Sequence, residues 1–121
     1  MSRRILVVED QEDNRRILRD LLTSAGYEII QAENGEEALA AAARERPGLI
    51  LMDIQLPVLD GYEATRRIKA DPALRAIPVI VVTSYALSGD ENKARAAGCD
   101  AYVTKPFSPR ALLAKIREYV P

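Results

Sequence analysis

Four short apolar runs along the chain each end at polar side chains that suit the binding of phosphate or a metal ion. The runs cover residues 5–8, 49–52, 79–82 and 101–103. The polar residues that follow them are Glu9 and Asp10, Asp53, Thr83 and Ser84, and Thr104, Lys105 and Pro106. Short apolar runs bounded by polar residues are typical of strands buried on both faces of a parallel sheet. Since ligands bind beyond the carboxyl ends of such strands, we predict that these polar side chains meet at one edge.

Segments with helical periodicity separate the runs. The first helix has an apolar face, followed by a glycine in the usual position past a helix end; these residues are Ile17, Leu18, Leu21, Leu22, Ala25 and then Gly26. The four later helices are predicted to begin at capping residues, which are Asn34, Asp60, Ser88 and Ser108. With a further short strand around Ile29 and Ile30, the pattern predicts five strand–helix units. Such alternation predicts one α/β domain whose parallel sheet is covered by helices on both sides.

Composition indicates a globular domain and excludes several kinds of chemistry. The 121 residues are 48% hydrophobic and 29% charged, with a net charge of -1, which gives no sign of nucleic-acid binding. The apolar stretch after Arg3 and Arg4 is too short for a signal peptide or a membrane span, so we expect no membrane partner. The single cysteine, Cys99, fits a reducing cytoplasm. Because histidine is absent, histidine-based catalytic triads and histidine metal sites are excluded.

The acids at the predicted edge favour a metal site over simple helix capping. Clustered carboxylates repel one another unless a cation lies among them, and Mg²⁺ binds through carboxylates, water and phosphate oxygens. Lys105 would add a positive charge for a phosphoryl oxygen, and Thr83 would add a hydroxyl. Any single acid here could instead cap the helix after its strand. For three acids, a hydroxyl and a lysine at one edge, capping is the weaker explanation.

Taken together, these motifs resemble the receiver domain of two-component response regulators. The resemblance rests on Glu9-Asp10, on Asp53 with the later Leu56-Pro57 and Asp60-Gly61, on Thr83-Ser84, and on Lys105-Pro106-Phe107. It covers the whole chain and implies one receiver domain, residues 1–121, without an output domain. The implied fold is a doubly wound, flavodoxin-like α/β fold with five parallel strands in the order 2-1-3-4-5 and helices on both faces.

The resemblance implies a role for each residue at the edge. Asp53 would accept a phosphoryl group from a phosphohistidine on a sensor histidine kinase or a histidine phosphotransfer protein. Mg²⁺ would be held by Asp10, Asp53 and the backbone carbonyl of Gln55, with Glu9 acting nearby through water. Lys105 would pair with a phosphoryl oxygen. The protein would then catalyse its own phosphorylation and dephosphorylation without being an enzyme that turns over substrates.

The resemblance also implies how the phosphoryl group is detected and removed. Thr83 would bond the phosphoryl group and draw its loop inward, and Tyr102, at the aromatic switch position, would turn inward with it. The output would be a protein-binding surface built from the fourth helix, fifth strand and fifth helix. Gln55 and Tyr85 would flank the route of the water that hydrolyses the aspartyl phosphate; an exposed Tyr85 that contacts partners is the equal alternative.

The leading prediction is a stand-alone regulator with a downstream protein target. Residues 88–91 resemble those of single-domain regulators of cell division and differentiation. A phosphorelay intermediate that passes phosphate to a histidine phosphotransfer protein is the main alternative. An aspartyl-nucleophile phosphohydrolase resembling the haloacid dehalogenases would carry an aspartate at Gln55, and a flavodoxin-like binder would need glycines within residues 10–14. The arginines of the first helix, Arg15, Arg16 and Arg19, are predicted to form a solvated face, or else a docking surface for the histidine-bearing partner.

Overall fold

Five strands and five helices alternate along the described residues, which are 3–83 and 90–121 of this computed structural model. They are β1 (Arg4–Val8), α1 (Glu12–Ser24), β2 (Glu28–Ala32), α2 (Gly35–Glu45), β3 (Leu49–Met52), α3 (Gly61–Ala70), β4 (Val79–Thr83), α4 (Asp90–Ala96), β5 (Ala101–Thr104) and α5 (Pro109–Arg117). The strands form one parallel sheet in the order β2-β1-β3-β4-β5. The predicted fold class and strand order are therefore confirmed. None of the described helices is both long enough and apolar enough to cross a membrane.

Apolar side chains cover both faces of the sheet, because alternate residues of a strand point to opposite faces. In β1, Leu6 and Val8 pack with α2, α3 and α4, whereas Ile5 and Val7 pack with α1 and α5. The helices contribute Ala38, Ala41, Ala42, Ala64, Ile68 and Ala94 to the first side, and Leu18, Leu22, Leu112 and Ile116 to the second. Since described helices cover both faces of the sheet, a ligand site is expected at the carboxyl ends of the strands.

Three of the predicted helix starts are confirmed by hydrogen bonds. In each, the side chain of the capping residue accepts from the backbone N–H three residues later; the pairs are Asn34 and Glu37, Asp60 and Glu63, and Ser108 and Ala111. The fourth predicted cap, Ser88, lies outside the described residues. Gly26 and Gly98, which follow α1 and α4, have φ values of 93° and 105°, a backbone conformation that glycine adopts without steric cost.

Two predictions about α1 are wrong. Periodicity places Ile17 on the apolar face, but it is 59% exposed. The core packs around Leu18 and Leu22, whereas Ile17 lies at the border of the helix and lines a surface cleft with Phe107. The arginines of α1 are predicted to form a solvated face, or else a docking surface, but the side chain of Arg15 is only 12% exposed, because it turns back to contact the loop between β1 and α1.

Candidate functional site

Three carboxylates meet at the carboxyl end of the sheet. Glu9 and Asp10 follow β1, and Asp53 follows β3, which pairs with β1 in parallel. One carboxylate oxygen from each of the three acids lies within 4.8 Å of the other two. The backbone N–H of Asp53 donates to the carbonyl of Val8 at 3.1 Å, so the two strand ends are held together at the point where the acids emerge.

Lys105 joins the three acids from the loop between β5 and α5. Its Nζ lies 2.8 Å from Oε1 of Glu9 and 3.8 Å from Oδ2 of Asp53. The backbone N–H of Lys105 donates to the carbonyl of Thr83 at 2.7 Å, and the Lys105–Pro106 peptide bond is cis. The Lys105 ammonium is thus hydrogen-bonded to the buried Glu9 and lies within reach of Asp53.

The electrostatics of the three acids favour a bound cation. Burial, together with the negative charge of Glu9, raises the pKa of Asp53 to about 6. Burial also acts to raise the pKa of Glu9, but hydrogen bonds from Lys105 and from the Gln11 N–H outweigh it, so this pKa lies below its ordinary value. The charge of Lys105 also acts to lower the pKa of Asp53, but burial and the charge of Glu9 outweigh it, so the ionised form of Asp53 remains disfavoured. A small dication would favour the ionised form, and a set of hard carboxylate oxygens fits Mg²⁺.

The start of α3 holds the backbone of Asp53 in place. The N–H of Gly61 donates to the carbonyl of Ile54 at 2.9 Å. A Cβ atom at Gly61 would lie 2.0 Å from the carbonyl oxygen of Asp53, so this approach requires glycine.

In the loop before α3, Val58 has a φ of 68° and is 73% exposed, and a 2.7 Å hydrogen bond closes a three-residue turn around it. Such a turn is strained at a β-branched residue.

The other predicted site residues lie on or near the neighbouring strands. Thr83 is the last residue of β4 and is fully buried. Tyr102 in β5 is half-buried and packs against the hydrophobic cluster on the side of α2, α3 and α4. Gln55 is exposed, and its backbone N–H lies 3.4 Å from Oδ1 of Asp53. Tyr85 lies outside the described residues.

Arg15 contacts the loop that carries two of the acids, although its sequence context did not single it out. Its Nη1 donates to the carbonyl of Glu9 at 2.8 Å and to the carbonyl of Asp10 at 3.1 Å. Its Nη2 lies 3.6 Å from the carboxylate of Glu33, which follows β2. The apolar pattern gives no means of distinguishing Arg15 from the other two arginines of α1. The available signal was its place at the start of the helix, from which a long side chain can reach back to the loop.

Comparisons with known proteins identify the family of this chain. The profile described as the response regulator receiver domain matches residues 5–117. The chain belongs to the response regulator receiver domain family. Relatives of this receiver domain include the polar-differentiation response regulators DivK of Brucella anthropi, 48% identical, and of Brucella abortus, 46% identical. Each alignment covers 99% of this chain and 98% of the relative.

Solved structures of other receiver domains share the fold. The receiver domain of a sensor histidine kinase from Pseudomonas aeruginosa matches with a TM-score of 0.91 and 38% identity, over 99% of this chain and 98% of that one. That structure has a magnesium ion coordinated in its active-site cleft. The chemotaxis protein CheY4 of Vibrio cholerae matches with a TM-score of 0.90 and 28% identity, over 98% of this chain and 99% of that one. The predicted resemblance to receiver domains is therefore confirmed.

Proposed function

We propose that this receiver domain is a phosphorylation-controlled regulator that accepts a phosphoryl group on Asp53. The proposal is supported above all by the convergence of Asp53 with two further acids and the Lys105 ammonium at one sheet edge. The Asp53 carboxylate would attack the phosphorus of a phosphohistidine on a sensor kinase or a histidine phosphotransfer protein. A P–O bond forms as the P–N bond breaks, and the imidazole leaves with the electron pair. Lys105 would compensate charge on the phosphoryl oxygens.

Asp10 and Asp53 would hold Mg²⁺, with the Gln55 carbonyl as a further ligand and Glu9 acting through water. When bound, the ion compensates negative charge on the phosphoryl oxygens and lowers the repulsion between Asp53 and the incoming group. The magnesium ion in the active-site cleft of the related Pseudomonas receiver domain supports a magnesium site in this domain. Water would later hydrolyse the aspartyl phosphate, a mixed anhydride, along a route beside Gln55.

The phosphoryl group would be detected through Thr83 and Tyr102. Thr83 would bond a phosphoryl oxygen and draw the end of β4 inward, and Tyr102 on the adjacent strand would follow. The result would be a shift between two arrangements of the surface formed by α4, β5 and α5. We propose that a downstream protein binds this surface. The likeness to the DivK regulators supports a signalling role for this receiver domain.

Incubation with acetyl phosphate tests the proposed phosphoacceptor. The wild-type chain, with Mg²⁺ or with EDTA, and the Asp53→Asn variant are resolved on a phosphate-affinity gel. A retarded band that requires both Mg²⁺ and Asp53 is expected. The absence of a band in the wild type would support a scaffold without phosphorylation. Rapid turnover of many phosphoesters would support the phosphohydrolase instead.

The switch is tested separately with Thr83→Ala. This variant is expected to take up the phosphoryl group from acetyl phosphate but to lose most of the change that phosphorylation causes at the α4–β5–α5 surface. Amide chemical shifts of α4 and α5, recorded with and without beryllofluoride as the phosphoryl mimic, measure that change. Equal shifts in wild type and Thr83→Ala would contradict the role of Thr83.

A further inference from the structure

We infer that Arg15 is a positioning residue that holds the loop between β1 and α1 in the shape needed for Glu9 and Asp10 to bind the metal ion. The inference rests on the proposed function and adds a residue to it. The contacts of the guanidinium are with two backbone carbonyls and with the carboxylate of Glu33. Arg15 would therefore act through the backbone that carries the metal-binding acids.

The two carbonyls that Arg15 binds belong to the peptide units on either side of the Asp10 Cα. One is the carbonyl of Glu9, at 2.8 Å, and the other is the carbonyl of Asp10, at 3.1 Å. Because each peptide unit is planar, fixing both units fixes the backbone torsion angles of Asp10. The direction in which the Asp10 side chain leaves the backbone is then fixed as well.

The peptide unit between Asp10 and Gln11 links Arg15 to the carboxylate of Glu9. Its carbonyl accepts from Arg15, and its N–H donates to Oε2 of Glu9 at 3.1 Å. A positive charge at the carbonyl polarises the peptide unit, so its N–H becomes a better donor. The other carboxylate oxygen of Glu9, Oε1, accepts from Lys105 at 2.8 Å. Arg15 thus helps to orient both of the acids that follow β1.

Arg15 is itself held from a second strand. Its Nη2 lies 3.6 Å from the carboxylate of Glu33, which is the residue after β2, and its side chain is 12% exposed. The end of β1 is also hydrogen-bonded to the end of β2, because the N–H of Glu9 donates to the carbonyl of Ala32 at 3.0 Å. The guanidinium therefore bridges the two loops that follow β1 and β2.

Positioning and simple electrostatics make opposite predictions for the loss of Arg15. A positive charge beside the acids repels a dication, so its removal alone would strengthen Mg²⁺ binding. Removal of the hydrogen bonds to the loop would weaken Mg²⁺ binding, since the acids would no longer be pre-arranged. Loss of a group that orients metal ligands typically weakens metal affinity by about 10- to 100-fold, and we expect the lower end of that range here.

The test is calorimetric titration of the full chain with MgCl₂ for the wild type, Arg15→Met, Arg15→Lys and the control Arg16→Met. Arg16 lies on the same helix and its side chain is 59% exposed, so its replacement removes the same charge without touching the loop. Arg15→Met is expected to bind Mg²⁺ about tenfold more weakly. Arg15→Lys keeps the charge but lacks the planar fork that reaches two carbonyls, so we expect a loss of roughly the same size. Arg16→Met is expected to match the wild type within about twofold.

A second readout is the amide resonance of Gln11 in the metal-free protein. The resonance should report a weaker hydrogen bond from the Gln11 N–H to Glu9 in Arg15→Met and Arg15→Lys, and an unchanged one in Arg16→Met. If Arg15→Met does not fold, Arg15→Lys decides the question by the same two measurements. Mg²⁺ affinity in the Arg15 variants equal to or tighter than in Arg16→Met would overturn the inference alone. Absence of Mg²⁺ binding by the wild type would overturn the proposed function together with it.

Discussion

Lys105 donates a hydrogen bond at 2.8 Å to Glu9, whose carboxylate is almost completely buried. A buried charge that loses its partner is strongly destabilising, because neither water nor a counter-ion replaces the lost interaction. Lys105 is thus a stabilising residue of the unphosphorylated protein as well as the proposed ligand of the phosphoryl group. In the proposed reaction its ammonium would move from Glu9 to a phosphoryl oxygen on Asp53. The ammonium already lies 3.8 Å from Oδ2 of Asp53.

The coupling between Glu9 and Lys105 predicts a large stability loss in Lys105→Met that is partly restored by a second change. We expect Lys105→Met to lower the free energy of unfolding by about 3 kcal/mol at neutral pH without Mg²⁺. Glu9→Gln in the same chain removes the unpaired charge, so the double variant should be more stable than the additive expectation by roughly 1 kcal/mol or more. Urea unfolding of the four proteins measures this. Strict additivity, or an equal loss of stability in the partly exposed control Lys115→Met, would contradict the coupling.

The raised pKa of Asp53 predicts how stability depends on pH without a metal ion. Its pKa is about 6 in the folded chain, against an ordinary value of 3.8, so the folded protein binds this proton more tightly than the unfolded chain does. The resulting stabilisation is complete below the ordinary value and is lost as the pH rises through 6. Asp53→Asn should therefore raise the free energy of unfolding by about 2 kcal/mol near neutral pH.

The same substitution should have little effect on stability below the ordinary pKa of Asp53, where the carboxyl is protonated in both states. Mg²⁺ should narrow the difference at neutral pH, because it binds the folded wild type and stabilises it. Urea unfolding of both proteins over this pH range, with and without Mg²⁺, is the measurement. An increase in the free energy of unfolding of Asp53→Asn over the wild type that does not change with pH would contradict the raised pKa of Asp53.

Gly61 is predicted to be essential for the position of Asp53. The Cβ of Gly61→Ala would collide with the Asp53 carbonyl oxygen, 2.0 Å away, and push the strand end from its place. We expect phosphorylation by acetyl phosphate to slow by on the order of 100-fold, because small displacements of a nucleophile have effects of this size. Gly26→Ala is the matched control: its φ of 93° makes it destabilising, but it follows α1 at the opposite edge of the sheet. Equal phosphorylation rates in both variants would count against this role.

Val58 is predicted to be a site where glycine stabilises the protein. Its positive φ is strained for a β-branched residue, and its side chain is too exposed to contribute much packing. Val58→Gly should raise the free energy of unfolding by up to about 1 kcal/mol, after the larger entropy of the unfolded glycine chain is allowed for. Val58→Ala keeps the Cβ and should show little of this gain. Chemical denaturation of the two variants measures the change in the free energy of unfolding. A lower free energy of unfolding in Val58→Gly than in the wild type would contradict the strain at this residue.

Local features made much of the fold predictable from the sequence. Capping residues such as Asn34 and Asp60 bind backbone groups three residues away, so the helix starts can be predicted from the local sequence. The apolar runs marked the strands, and the polar residues after them marked the edge where Glu9, Asp10 and Asp53 meet. The strand order came from the family resemblance, because crossover connections alone do not determine it.

The wrong or missing predictions all concern where a side chain lies after the elements have packed. Ile17 belongs to the apolar stripe by periodicity, but it lies at the border of α1 beside Phe107 and is exposed among the described residues. Arg15 turns inward because two carbonyls of a preceding loop lie within its reach. The preference of Lys105 for Glu9 over Asp53 depends on the reach of two long side chains from the ends of β1 and β5, across the two strands between them. Such details follow from tertiary geometry and are not encoded in any short segment.

The identity of the phosphorylated residue tests the central claim most directly. The chain is incubated with Mg²⁺ and acetyl phosphate and then treated with borohydride, which reduces an acyl phosphate to an alcohol and leaves free carboxylates unchanged. Peptide mass spectrometry then locates the alcohol. Our account predicts reduction at position 53 alone, dependent on Mg²⁺ and absent in Asp53→Asn. Phosphorylated protein whose reduced residue lies at Asp10, Glu9 or elsewhere, with Asp53 intact, would contradict it.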